Sequence, residues 1–151
     1  KKFKSLNYKK LSKINLQTPK ISIASANIAK ELSIRNILKK YQLNFIKKNK
    51  RCVIEGRDAS TKILPTSNVK FFFVCNLNIA AKRRYKELKK NNFKINFLSV
   101  KKALKIRNIS DKKRKHSPLK RHKNAVVVDT GKISKKAMVV KMSKFIDQFL
   151  N

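Results

Sequence analysis

Between positions 21 and 45 the apolar side chains recur three and four residues apart: Ile21, Ala24 and Ile28, then Ile34, Ile37, Leu38, Tyr41 and Phe45. Such spacing keeps them on one side of a 3.6-residue turn, and Ser33 is placed to cap the second half. The pattern predicts two helices, or one helix broken near Leu32. Beyond it the period changes. RCVIEG is a short apolar burst closed by Gly56, and VKFFFVC at residues 69–75 follows Pro65, which stops any helix. Both read as strands buried on two faces. Residues 77–90 and 97–108 are helical again, the second with Phe97, Val100, Ala103, Leu104 and Arg107 one turn apart. DKKRKHSPLKRHK is polar and irregular, AVVVD at 125–129 is a third strand pattern, and Ser134 opens an amphipathic helix ending near Leu150. Apolar, non-alternating strands separated by helices predict an α/β fold with a parallel sheet covered on both sides. There are no internal repeats.

Composition adds charge to this picture. The 151 residues, 41% of them hydrophobic, suffice for one domain with a core, yet carry 41 Lys+Arg against 7 Asp+Glu, a formal +34. A field of that sign draws polyanions, anionic membranes and phosphorylated small molecules alike. Lys, Asn and Ile dominate, as AT-rich coding alone would produce, so the eight scarce arginines are the more informative cations. A guanidinium grips phosphates and base edges bidentately where Lys offers a point charge. No apolar run reaches the roughly 18 residues of a membrane span, and KKFKSLNYKK lacks a signal peptide's apolar stretch, so a cytoplasmic protein without a membrane partner is expected. Cys52 and Cys75 make neither a disulfide framework nor a four-ligand zinc site. Only Gly56 and Gly131 occur, which excludes a phosphate-cradling GxxxxGK or GxGxxG loop within this sequence.

Two constellations could carry chemistry. In IEGRDAST, Arg57 and Asp58 stand at the carboxyl edge of an expected parallel strand, where ligands of open α/β folds bind. Otherwise the two side chains pair, or cap a turn, at an exposed corner. Arg107, Asp111 and Arg114 are spaced by four and then three, so two cations and a carboxylate could share one side of a helix end. The competing reading is a solvated charged face.

IEGRDASTKILPTSNVKFFFVCNLNIAAKRRYKEL, followed by IRNISDKKRKHSPL and AVVVDTGKIS, resembles the carboxyl-terminal two-thirds of bacterial cytidylate kinases. With the upstream IRNILKKYQ the resemblance covers about residues 20–151. It implies a P-loop kinase-like three-layer α/β/α fold with a mostly parallel sheet, incomplete because the first third is absent. The implied activity is transfer of the γ-phosphoryl of ATP, with Mg, to CMP or dCMP. Residues 1–48 would form part of a helical nucleoside-monophosphate-binding region and 49–151 the kinase core, with an ATP lid at about 82–99 that begins with Lys82, Arg83 and Arg84. By the same resemblance Arg35 and Arg114 would bond the cytosine, and Asp58 would accept from its exocyclic amine. Arg57 would bind the CMP phosphate, and Arg107 with Asp111 would hold the sugar. A carboxylate facing that amine sets an acceptor against a donor, whereas uracil would oppose two acceptors. A monomer with no specific nucleic-acid partner is expected.

Three departures stand out. The family's sugar-touching serine aligns with Ala26, with Ser25 one position off. Ser60 replaces the glycine usual after Gly-Arg-Asp-x, which would strain the turn if a positive φ is needed there. The P-loop and its lysine are missing, so this sequence offers no catalytic residue and no metal ligand set. The expectation is a fragment whose absent part includes the strand between those at Val53 and Phe72. It would leave the VKFFFV segment uncovered, fold poorly by itself and transfer no phosphoryl group.

Rival readings are a ribosomal-type RNA-binding protein, suggested by KKRKHSPLKRHK, and a kinase for UMP or AMP. Against the first, the cations are spread along every helix and no RNA-recognition motif with stacking aromatics occurs. His116 and His122 lack ligand companions, Phe71 to Phe73 read as core, and Asp129 as a turn or cap residue.

Overall fold

A computed structural model describes residues 19–49, 51–90 and 94–149. The chain divides into two compact units, Lys1–Lys40 and Tyr41–Asn151. In the first, helix α1 (Pro19–Ile28) starts on a proline, whose missing N–H costs nothing in a first turn. It closes where Ala29 N donates to Ser25 O at 2.9 Å. Helix α2 (Leu32–Lys48) begins where the sequence predicts the break and carries Lys47 and Lys48 in its last turn, opposite the helix dipole's negative end.

The second unit is built on two short parallel strands, β1 (Phe71–Val74) and β2 (Val126–Asp129), with Phe71 opposite Val126 and Val74 opposite Asp129. Helices α3 (Leu77–Lys90) and α4 (Phe97–Lys113) lie between them in sequence, and α5 (Lys135–Asp147) follows β2. Caps set the helix starts: the Asn96 side chain accepts from Leu98 N, and Ser134 Oγ accepts from Ala137 N. Helix α5 ends at Asp147, short of the expected Leu150, while the first 18 residues of the helical region and positions 91–93 of the lid segment lie outside the described residues. The α3–α4 pair closes over Tyr85 and Phe97, edge to face at 5.9 Å, with Ala81, Leu88 and Val100 buried. Phe71 meets Phe145 of α5 at 5.7 Å.

Two expectations about the sheet fail for one reason. RCVIEG forms no strand, and Val53 is 94% exposed. Nor are the strands covered on both faces, since Phe73 and Val127 are also exposed. A strand is stabilised only by a neighbour for its N–H and C=O groups, and no described residue lies beside 52–55 as a partner strand. The sheet is therefore two-stranded, and no large described side chain is fully buried. The strain expected at Ser60 is also absent. It sits inside a π-helical turn (Ala59–Ile63), and the positive φ falls at Ser117 instead.

At the carboxyl end of β2, Asp129 takes the expected turn role, its Oδ1 accepting from Gly131 N at 2.9 Å. A Cβ on Gly131 would stand 3.1 Å from that oxygen and 3.2 Å from Ile79 Cδ1. Gly131→Ala is thus expected to destabilise the second unit by about 1 kcal/mol through overpacking, read as a lower urea midpoint at unchanged slope.

Candidate functional site

The carboxyl-terminal turns of α4 hold the densest set of candidate residues. Helix periodicity brings Arg107 and Asp111, four apart, to one side. Arg114 is the C-cap residue, its ψ of 141° turning the chain out of the helix. The sequence pattern stops this helix at Asn108, but it runs to Lys113, because the polar residues 108–113 are tolerated on a helix end whose last-turn lysines suit the dipole. That extension places Asp111 on the helix.

Asp111 is the hub. Its Oδ2 lies 3.2 Å from Arg57 Nε and 3.9 Å from Arg107 Nε, and its Oδ1 lies 3.4 Å from Arg114 Nη1. The Asp111 and Arg114 side chains are only 12% and 10% exposed, whereas Arg57 and Arg107 are each 43% exposed. The solvated-face reading therefore does not hold for Asp111 and Arg114. Three guanidinium charges around one carboxylate leave a formal surplus of 3 − 1 = +2 at a spot with a buried floor and two cations reaching solvent. Such a surplus, presented as planar forks, is chemistry suited to a phosphate or another polar anion.

Arg57 comes from the loop before the π-helical turn, bringing together residues 54 positions apart in sequence. Its neighbour Asp58 starts that turn with its carbonyl, which accepts from Lys62 N at 2.8 Å, while its carboxylate gives the turn no cap bond. The simple turn-capping role is thus excluded for the Asp58 side chain. Arg35 belongs to the first unit, where its Nη1 donates to Ala29 O at 3.1 Å. Of the three cations that open the expected lid, Lys82 is exposed and Arg84 pairs with Glu87 at 2.8 Å. Arg83 reaches across to the end of β2, donating to Thr130 O at 2.6 Å and Thr130 Oγ1 at 3.3 Å.

Sequence reasoning missed the turn after α4. Ser117 O accepts from Arg114 Nε at 2.5 Å, and Leu119 N donates to Asp111 O at 2.7 Å. The available signal was Ser-Pro-Leu, because a residue before proline is pushed out of the helical region and turns the chain.

Among the described residues no group of three His, Cys, Asp or Glu comes together as metal ligands, and no helix is long and apolar enough to cross a membrane.

The second unit is thus a helix-rich α/β unit with two parallel strands and a guanidinium cluster at a helix end. The family model described as cytidylate kinase matches residues 3–148. A cytidylate kinase of Thermosipho melanesiensis is 36% identical over 143 residues, 95% of this chain and 65% of the relative. One from Bartonella tribocorum is 34% identical over 147 residues, covering 97% and 68%, and one from Rickettsia akari is 32% identical over 135, covering 89% and 62%. The chain belongs to the cytidylate kinase family, and it spans about two-thirds of the length of these relatives.

Proposed function

We propose that this chain supplies the CMP side of a kinase that transfers the γ-phosphoryl group of ATP to CMP or dCMP, giving CDP or dCDP. The observation that carries the reading is the convergence of Arg57, Arg107 and Arg114 on Asp111. Phosphoryl transfer demands little covalent chemistry of a protein. It needs reactants held in line and the charge on the moving group neutralised, which a set of guanidiniums does. In this reading Arg57 binds the CMP phosphate and Arg107 with Asp111 holds the sugar. Arg114 and Arg35 donate to the cytosine, and Asp58 accepts from its amine. Residues 82–99 form the ATP lid, and the kinase works as a cytoplasmic monomer.

ATP and Mg are implied by the family, but the residues described here do not fit a magnesium site. Asp111, the most buried acid, is taken up by three guanidiniums, and no other acids join it. The sequence also has no glycine-rich phosphate loop, so the 151-residue chain by itself is expected to make no CDP from CMP and ATP. CDP formation by the purified chain would overturn that part.

Base choice is the test of the substrate. In a kinase-competent polypeptide carrying these residues, Asp58→Asn exchanges an acceptor for an amide that can also donate. It is expected to shrink the CMP over UMP preference in kcat/KM by about 5- to 150-fold, corresponding to about 1–3 kcal/mol. An unchanged ratio assigns base discrimination elsewhere.

A further inference from the structure

Among the described residues, Ser117 is the one non-glycine residue in the left-handed region, at φ 50°. Two features of the sequence oppose that conformation: its own Cβ, and Pro118 behind it, which drives a preceding residue toward extended backbone. An unfavourable conformation persists only where its surroundings over-determine it, and inference runs from the observed outlier to a use. Here the surroundings are specific. Arg114 Nε donates to Ser117 O at 2.5 Å, and two residues later Leu119 N donates to Asp111 O at 2.7 Å. The chain thus folds back on the helix end that carries the hub carboxylate, and the Ser117 carbonyl meets the side chain of Arg114.

A free arginine has many rotamers, but its guanidinium is a rigid plane. Nε held by Ser117 O and Nη1 held by Asp111 Oδ1 at 3.4 Å fix that plane at two points. Every other N–H direction of the fork is then set. We propose that Ser117 is a positioning residue, its left-handed backbone aiming a carbonyl at Arg114 Nε and so fixing the direction from which Arg114 meets the nucleotide. The inference rests on the reading of Arg114 as a base contact. Arg57 and Arg107, anchored through Asp111 Oδ2, are not oriented by this turn.

The test compares Ser117→Gly, Ser117→Asn, Ser117→Ala and Ser117→Val in a kinase-competent polypeptide carrying these residues. It reads hydrogen exchange of the Arg114 Nε–H by NMR, and the affinities for CMP and for inorganic phosphate at fixed ionic strength. Gly and Asn tolerate positive φ and are expected to keep both the slow exchange and the CMP affinity. Ala and, more strongly, Val are expected to speed the exchange, with CMP affinity falling about tenfold in Ser117→Val while phosphate affinity holds. If Ser117→Val does not fold, the same ordering is required of Ser117→Ala against Ser117→Gly. Unchanged exchange in the Val and Ala variants, or equal proportional losses for CMP and phosphate, would overturn the proposal. Faster exchange with unchanged CMP affinity would support the anchoring role and overturn the reading of Arg114 as a base contact.

Discussion

Asp111→Ala lowers the stability of the second unit by about 3 kcal/mol, the largest loss expected from any single substitution at the site. The Asp111 carboxylate is 12% exposed and holds three guanidiniums within 4 Å. Removing one partner of a buried pair typically costs about 3–5 kcal/mol, because the remaining charge stays buried and uncompensated. The lower figure applies here, since Arg57 and Arg107 can turn toward water while Arg114, 10% exposed, cannot without leaving its turn. For a unit of this size the loss corresponds to a fall of about 13 °C in Tm. The double variant Asp111→Ala, Arg114→Leu is expected to recover part of it, because the stranded buried cation is then gone. A fall of less than 1 kcal/mol in Asp111→Ala, measured by urea denaturation, would mean that the cluster is an exposed surface array.

Arg57→Ala has its large effect on ligand and not on fold. At 43% exposure its ion pair with Asp111 contributes within the range of surface pairs, below about 1 kcal/mol. In the proposed role its guanidinium would face the CMP phosphate through charge-assisted bonds worth about 1.5–3 kcal/mol, so CMP affinity is expected to drop about 10- to 150-fold. The loss should be confined to ligands that carry the phosphate. Cytidine, which lacks it, should bind the variant and the parent alike. Equal losses for CMP and cytidine would move Arg57 from the phosphate to the nucleoside.

Some of this was legible in the residues and some was not, for physical reasons. The four-and-three spacing of Arg107, Asp111 and Arg114 placed them on one helix side, and that geometry is local. That Asp111 is buried is a tertiary fact, since it depends on Arg57, 54 positions earlier, arriving from another loop. The helix break at Leu32 and the Asn96 and Ser134 starts follow from local turns and side-chain caps. The strand expected at 52–55 had the right composition, but strands depend on neighbours, and an apolar burst cannot form a ladder alone. The bond from Arg83 to Thr130 was not legible, because its partner is 47 residues away. Ser117 hid its role because a serine's backbone dihedral is not written in its side chain.

The chain's narrow sheet and exposed apolar residues make ligand-induced stabilisation a sensitive reporter, since a ligand that binds only the folded state adds RT ln(1 + [L]/Kd). The most direct measurement is the urea midpoint of a kinase-competent polypeptide carrying these residues with CMP, UMP or inorganic phosphate at one ionic strength. CMP is expected to raise the midpoint most, with a margin over UMP that disappears in Arg114→Ala. Equal stabilisation by CMP, UMP and phosphate would show only a diffuse cationic surface, and would contradict a site in which Arg57, Arg107, Asp111 and Arg114 together grip a cytidine nucleotide.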